Sequence, residues 1–292
     1  MTDEAFRAYD VIVIGAGPVG ENVADRASAA GLTTVIVERE LLGGECSFWA
    51  CEPSKACCGP WWPAPTRRVP GLGDAVRGPP DVDAVLAHRD RMAAHCKDED
   101  QVDWLDPVSV DLIRGHGRLT GPRVSVRTPD GDTARLTARH AVALCTGTGT
   151  ALPDIPGLDA AAPWTNREAT SAGRVPCRLV VVGAGVVAVE LATAWQALGS
   201  QVTLLVRGDG LLTRREPFAG ELVADGLCEA GADIQLGTEV VSVERRPGGS
   251  GEEVRVTLTG GEELNTDEIP FATGRAPRTS ARRPSASPPG TG

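Results

Sequence analysis

The sequence predicts a three-layer protein of the α/β class, built on two βαβ units with short antiparallel meanders. Two observations carry that expectation. Residues Asp10 to Glu38 run as apolar strand, Gly-rich turn, helix and strand, and Arg178 to Arg207 repeat the same order. The strands Val11 to Ile14 and Leu179 to Val182 are continuously apolar, as strands buried on both faces of a parallel sheet must be.

The first unit holds Gly15-Ala16-Gly17-Pro18-Val19-Gly20, a G-x-G-x-x-G directly after a strand and before a helix. Glycine there permits a tight turn and a close backbone approach to a pyrophosphate, which rests on the positive end of the helix. Glu38, at the end of the next strand, stands where a carboxylate takes ribose hydroxyls. The second unit holds Gly183-Ala184-Gly185-Val186-Val187-Ala188, whose third-position alanine still allows close helix-strand packing. Its second strand, Val202 to Val206, ends in Arg207 rather than an acid, with Arg214 and Arg215 close behind. A guanidinium there suits the 2'-phosphate of NADP and leaves NAD without its ribose acceptor; a solvated surface arginine is the alternative. NADP is therefore expected, with NAD still open. Both units read as Rossmann-like dinucleotide-binding folds.

Between the units, Pro60 to Pro80 is rich in Pro and Gly and reads as an irregular connection. Asp81 to Asp103 predicts a helix with Val85, Met92 and Ala93 on one side. Arg123 to Arg127 and Ala141 to Leu144 alternate around the turn Pro129-Asp130-Gly131-Asp132, a meander, and Ala232 to Phe271 predicts another. The stretch after Arg275 has no periodicity and is expected to be a disordered tail. The expected domains are residues 1–150, 151–275 and the tail 276–292.

A net charge of -10 leaves no basic stripe for a phosphate backbone or an anionic membrane, so neither nucleic acid nor membrane is an expected partner. The longest apolar stretch, Leu179 to Leu191, is too short to span a bilayer and contains Glu190. Met1 to Asp10 leaves no room for a signal peptide, so a soluble cytoplasmic protein is expected. The eight cysteines then read as reactive or buried thiols rather than a disulfide framework.

Two of them stand in Gly43-Gly44-Glu45-Cys46-Ser47-Phe48-Trp49-Ala50-Cys51-Glu52-Pro53-Ser54-Lys55. The C-x4-C spacing puts the sulfurs about one helical turn apart, near enough to form a disulfide. Two buried thiols, or zinc ligands, are the other readings, although Cys57-Cys58 supplies no second C-x2-C pair. This segment resembles the redox-active stretch, G-G-T-C-x4-C-x-P-S-K, of the pyridine nucleotide-disulfide oxidoreductase family that includes dihydrolipoamide dehydrogenase, glutathione reductase and mercuric reductase. The resemblance implies FAD in the first nucleotide fold, a nicotinamide cofactor in the second, and Cys46-Cys51 as the redox-active disulfide serving a small-molecule substrate. It also implies that Lys55 approaches the flavin with Glu190 as its ion-pair partner across a domain boundary. Gly115-His116-Gly117 resembles the stretch whose backbone meets the FAD adenine. Thr146-Gly147 and Ala272-Thr273-Gly274-Arg275 resemble the turns that close the first FAD segment and the nucleotide domain.

The chain departs from the family in three places. Glu52 replaces an apolar residue after the second cysteine and is expected to raise the thiol pKa values by like-charge repulsion. Cys145 replaces a small residue before Thr146, a tolerable packing change. After Pro277 the family pattern stops, so the second FAD segment and the dimerisation domain with its His-Glu acid-base pair are expected to be missing, with a frameshift near Arg278 as the hypothesis. His88, His95, His116 and His140 all precede the second nucleotide fold and match none of that pair. The expected enzyme is an FAD- and NADPH-dependent oxidoreductase, with mercuric ion disfavoured as substrate. A truncated, non-catalytic nucleotide-binding remnant and a thiol-independent NADPH oxidase or diaphorase are the alternatives.

Overall fold

The computed structural model describes residues 6–58, 78–121, 123–248, 251–279 and 281. They pack as two compact units. The first takes the described residues up to Phe48, then Ala94–Gly149 and the stretch from Pro277; the second takes those in Trp49–Ala93 and Thr150–Ala276. The cut after Phe48 divides the Cys-containing segment, which the sequence alone placed wholly within residues 1–150.

In the first unit six strands form one sheet: β1 (Arg7–Ile14), β2 (Thr34–Glu38), β3 (Val110–Arg114), β4 (His116–Thr120), β5 (Arg123–Arg127) and β6 (Thr133–Leu144). Their order is β3-β2-β1-β6-β5-β4. The first four run parallel, and β5 and β4 are added antiparallel. The expected meander is therefore fused to the parallel sheet through the 12-residue β6, which pairs with β1 along most of its length and with β5 through Thr133 to Thr137.

Strand β1 shows why a continuous apolar run is needed here. Val11 and Val13 join Ala24, Ile36, Leu42 and Leu105 on one face, while Ile12 and Ile14 join Val35, Val124, Val126 and Leu136 on the other. Alternate side chains point to opposite faces, and both faces are dry. Burying each of these side chains contributes about 1.5–3 kcal/mol before chain entropy is subtracted.

The second unit repeats the design. Strands Asp233–Leu236, Gln201–Val206 and Arg178–Val182 lie parallel in that order. The chain at Glu268–Phe271 bridges to the free side of Arg178–Val182. Leu179 and Val181 pack with Trp195, Leu191 and Leu227, whereas Val180 packs with Val254, Val256 and Phe271. The latter come from and around an antiparallel sheet of Val240–Gly248, Gly251–Leu258 and Glu263–Thr266.

The helix expected from Asp81 to Asp103 is instead three pieces: helix Val82–Met92, a 3-10 turn at Ala94–Cys96 and helix Glu99–Leu105. Ala94, His95 and Cys96 have φ of 46°, 52° and 55°, left-handed conformations that no helix interior accommodates. Met92 is 47% exposed, and the buried stripe is Val85, Leu86, Arg89 and Ala93.

Residues 277–279 and 281, which fall in the stretch expected to be a disordered tail, are bonded to the first unit. The Thr146 hydroxyl donates to the Arg278 carbonyl at 2.6 Å, the Arg278 amide to the Gly147 carbonyl at 3.0 Å, and the Leu119 amide to the Ala281 carbonyl at 2.8 Å. These bonds satisfy backbone groups that the end of β6 and β4 would otherwise leave open. Residues 280 and 282–292 lie outside the described residues, as does the connection over residues 59–77. Among the described residues no helix is long and apolar enough to cross a membrane.

The two outer glycines of the first Gly-rich turn are there for packing. A Cβ on Gly20 would lie 1.9 Å from the Gly15 carbonyl oxygen, whereas one on Gly17 would meet nothing within 4 Å. Gly20→Ala is therefore expected to cost about 1–3 kcal/mol or more, and Gly17→Ala almost nothing. Chemical denaturation of the two variants checks this; equal loss in both would contradict it.

Candidate active site

At the ends of β1 and β6 the chain makes a close backbone approach. Gly15, at φ +102°, would carry a Cβ only 2.3 Å from the Cys145 carbonyl oxygen, so no side chain fits. The second unit does the same: Gly183, at φ +140°, would place a Cβ 2.5 Å from the Ala272 carbonyl oxygen. In each unit the Thr-Gly turn begins at the next residue, Thr146-Gly147 and Thr273-Gly274. The middle glycines, Gly17 and Gly185, face open space within 4 Å and cap the helices Pro18–Ala29 and Val186–Ala197. A helix start with unpaired amides and no side chain in the way is a cradle for phosphate. Gly43 and Gly44 close onto the first cradle: the Gly43 amide donates to the Ala16 carbonyl at 2.8 Å, and a Cβ on Gly44 would press within 2.9 Å of the Gly17 Cα.

Glu38 is buried beside this turn and accepts the Ala16 amide on Oε2 at 2.7 Å and the Arg39 and Glu40 amides on Oε1 at 2.8 Å each. Its carboxylate thus braces the Gly-rich loop, while Oε2 keeps a further lone pair for a ribose hydroxyl. On β4, Gly117 sits where a Cβ would touch Val37 and Ile14 at 3.0 and 3.1 Å. Burial and then the guanidiniums of Arg39, Arg127 and Arg118 lower the pKa of the neighbouring His116.

The Cys-containing segment is two short helices, Gly44–Trp49 and Cys51–Cys57, separated at Ala50 (φ -139°, ψ -95°). Both cysteines are present as thiols, Cys46 half-buried and Cys51 exposed. Glu52 is exposed beside Cys51.

Within the second unit, Lys55 donates to Glu190 Oε1, and Ser54 donates to Oε2 of the same carboxylate. The predicted Lys55-Glu190 pair is formed, but inside one compact unit rather than across a domain boundary. Glu190's hydrogen bond raises the Lys55 pKa, which keeps the ammonium charged. Cys58 donates through sulfur to the Glu190 carbonyl at 3.4 Å. Burial, reinforced by the Glu190 charge, pushes its thiol up to about 12. Burial also raises the Cys57 and Cys145 thiols. Among the cysteines of this stretch, Cys51 is the most exposed.

Arg207 follows strand Gln201–Val206 with its side chain 84% exposed and Nε 4.0 Å from a Glu239 carboxylate oxygen. Such a long, exposed contact holds the guanidinium weakly, so it is available to a phosphate. Arg214 and Arg215 are exposed in the following loop. Sequence reasoning did not single out Ser54, Asn166 or Thr170, which all bond to this machinery. The pattern Thr165-x-x-Glu168, a capping box that opens helix Asn166–Ser171, is the signal that was available.

Comparison with known proteins places these features. The family model for pyridine nucleotide-disulphide oxidoreductases matches residues 9–287. Mercuric reductase from Lysinibacillus sphaericus is 29% identical over 287 residues, covering 97% of this chain and 51% of the relative. Dihydrolipoyl dehydrogenase 3 from Pseudomonas aeruginosa is 36% identical over 284 residues, covering 94% and 60%. The chain thus spans about half to three-fifths of the length of these relatives. In fold it is similar to the Cu(II) complex of the HOCl-induced flavoprotein disulfide reductase RclA from Escherichia coli, with a TM-score of 0.80 at 21% identity over 94% of this chain and 58% of that one. The match over nearly the whole chain, with the two Gly-rich turns and the C-x4-C segment inside it, shows that the chain belongs to the pyridine nucleotide-disulphide oxidoreductase family.

Proposed function

We propose that this chain binds FAD at its first Gly-rich turn and NADPH at its second, and serves electron transfer to the Cys46-Cys51 pair and from there to a small-molecule acceptor. The observation that carries the reading is an open cradle in each unit, at Gly17 and at Gly185, together with an exposed thiol, Cys51, at the start of the helix that carries Lys55. When bound, FAD supplies the two-electron relay between nicotinamide and disulfide.

The protein's own residues then have definite tasks. Gly15, Gly17, Gly20, Gly43 and Gly44 shape a backbone surface for the FAD pyrophosphate, Glu38 offers its remaining lone pair to the ribose, and Gly117 keeps the adenine side free of bulk. Thr146 and Gly147 fix the floor beneath that turn. Gly183, Gly185 and Ala188 do the same for NADPH, Gly274 ends the turn below, and Arg207 meets the 2'-phosphate. Lys55, held charged by Glu190, supplies a cation on the helix that begins at Cys51.

The FAD assignment is tested by the visible spectrum of the purified protein. Oxidised flavin bands are expected, and Gly17→Val, which fills the cradle without touching the core, should abolish them while leaving the fold cooperative. A colourless parent protein, or a variant as yellow as the parent, would contradict the assignment.

Arg207→Ala should weaken NADPH binding about tenfold to hundredfold, the worth of a charge-assisted hydrogen bond, with little effect on NADH. Equal affinity of the unaltered protein for the two nucleotides would sink the role of Arg207. Alkylation across pH separates the thiols of this stretch: Cys51 is expected to react at pH 8, and Cys58 only as pH approaches 12, where its buried thiol ionises. Peptide mapping that finds Cys58 modified at pH 8 as fast as Cys51 would overturn that order.

A further inference from the structure

The break between the two short helices exposes a backbone carbonyl at Trp49, two residues before Cys51. That carbonyl accepts the Asn166 side-chain amide at 2.8 Å, and the Thr170 hydroxyl lies 3.1 Å from it, sharing its one proton between this carbonyl and the Asn166 backbone carbonyl at 2.8 Å. The Trp49 indole is covered from the other side by Arg167, whose guanidinium carbon lies 4.0 Å from the ring centroid. All four residues belong to the second unit. The short helix Asn166–Ser171 therefore grips the residue from which the Cys51 helix starts.

The grip is itself held at both ends. At the start, Glu168 accepts the Thr165 amide at 2.7 Å and the Thr165 hydroxyl at 2.5 Å, closing the capping box. At the end, the guanidinium of Arg89, 3% exposed, donates to the Ala172 carbonyl at 2.6 Å. Asn166 is 5% exposed, and its side-chain oxygen accepts from Thr150 at 3.1 Å and from Arg275 at 3.0 Å. Guanidinium can only donate and a carbonyl can only accept, so the Asn166 amide has one possible orientation. It links Arg275, in the turn that ends the second nucleotide fold, to the backbone beside Cys51.

We propose that Asn166 and Thr170 are positioning residues that fix the Trp49 carbonyl and so set how the Cys51 thiol is presented for exchange. This rests on the reading of Cys51 as a redox thiol. They act through the Trp49 backbone.

The test uses the full chain and two readouts: hydrogen exchange in the peptide covering residues 49–55, and the rate and pH profile of Cys51 alkylation by iodoacetamide. Asn166→Asp keeps an acceptor for Thr150 and Arg275 but removes the donor to Trp49. Thr170→Val removes the second donor, and Thr170→Ser restores it. Asn166→Asp and Thr170→Val are each expected to speed exchange and Cys51 alkylation about threefold to tenfold, the effect of one lost hydrogen bond, with Thr170→Ser matching the parent. Unchanged exchange and alkylation, or Thr170→Ser behaving like Thr170→Val, would overturn the proposal. Should Asn166→Asp fail to fold, the two Thr170 variants carry the test. The readouts do not require a disulfide or bound flavin. If Cys46 and Cys51 never pair, the redox reading fails while the positioning differences persist; if the differences vanish, the positioning role fails whatever the pair does.

Discussion

The close approach of a glycine to a carbonyl at the end of the first strand, repeated in both units, is the constraint on which the rest of this structure depends. Gly15 lies against the Cys145 carbonyl and Gly183 against the Ala272 carbonyl, at spacings that leave no room for a Cβ. Each contact locks the end of the first strand of its unit to its neighbour, the end of β6 in one unit and the bridged chain at Glu268–Phe271 in the other. The turn that follows is then forced to open its amides outward at Gly17 or Gly185, and the helix behind it begins there. The same geometry that closes the core thus builds the anion cradle.

A second dependence runs through Glu190. Its carboxylate takes Lys55 on one oxygen and Ser54 on the other, and its backbone carbonyl takes Cys58, so the helix Cys51–Cys57 is anchored along one side to the helix of the second Gly-rich unit. Removing Glu190 would leave the half-buried end of that helix with unpaired donors, which costs more than the ion pair itself is worth at an exposed lysine. Asn166 and Thr170 fix the other end of the same helix at Trp49.

Much of this was legible in the sequence because the signals are local. Val11 to Ile14 and Leu179 to Val182 announce two-sided burial, and the glycine spacing that follows each announces the turn. The Lys55-Glu190 pair was legible only through family resemblance, since 135 residues separate the two. The break at Ala50 and the left-handed run at Ala94 to Cys96 were not legible, because neither carries Gly or Pro to announce it. Asn166 escaped notice for a related reason. A single buried amide has no periodicity, and its partners, Trp49, Thr150 and Arg275, lie far apart in sequence.

The central claim is that Cys46 and Cys51 form a redox pair served by the two nucleotide sites. Differential alkylation with peptide mapping tests it most directly: the protein is oxidised under mild conditions, its free thiols are blocked, and it is then reduced and relabelled. The account predicts that Cys46 and Cys51 carry the second label as one linked pair while Cys177 and Cys228 carry the first. Finding both Cys46 and Cys51 blocked by the first reagent in the oxidised protein would contradict it.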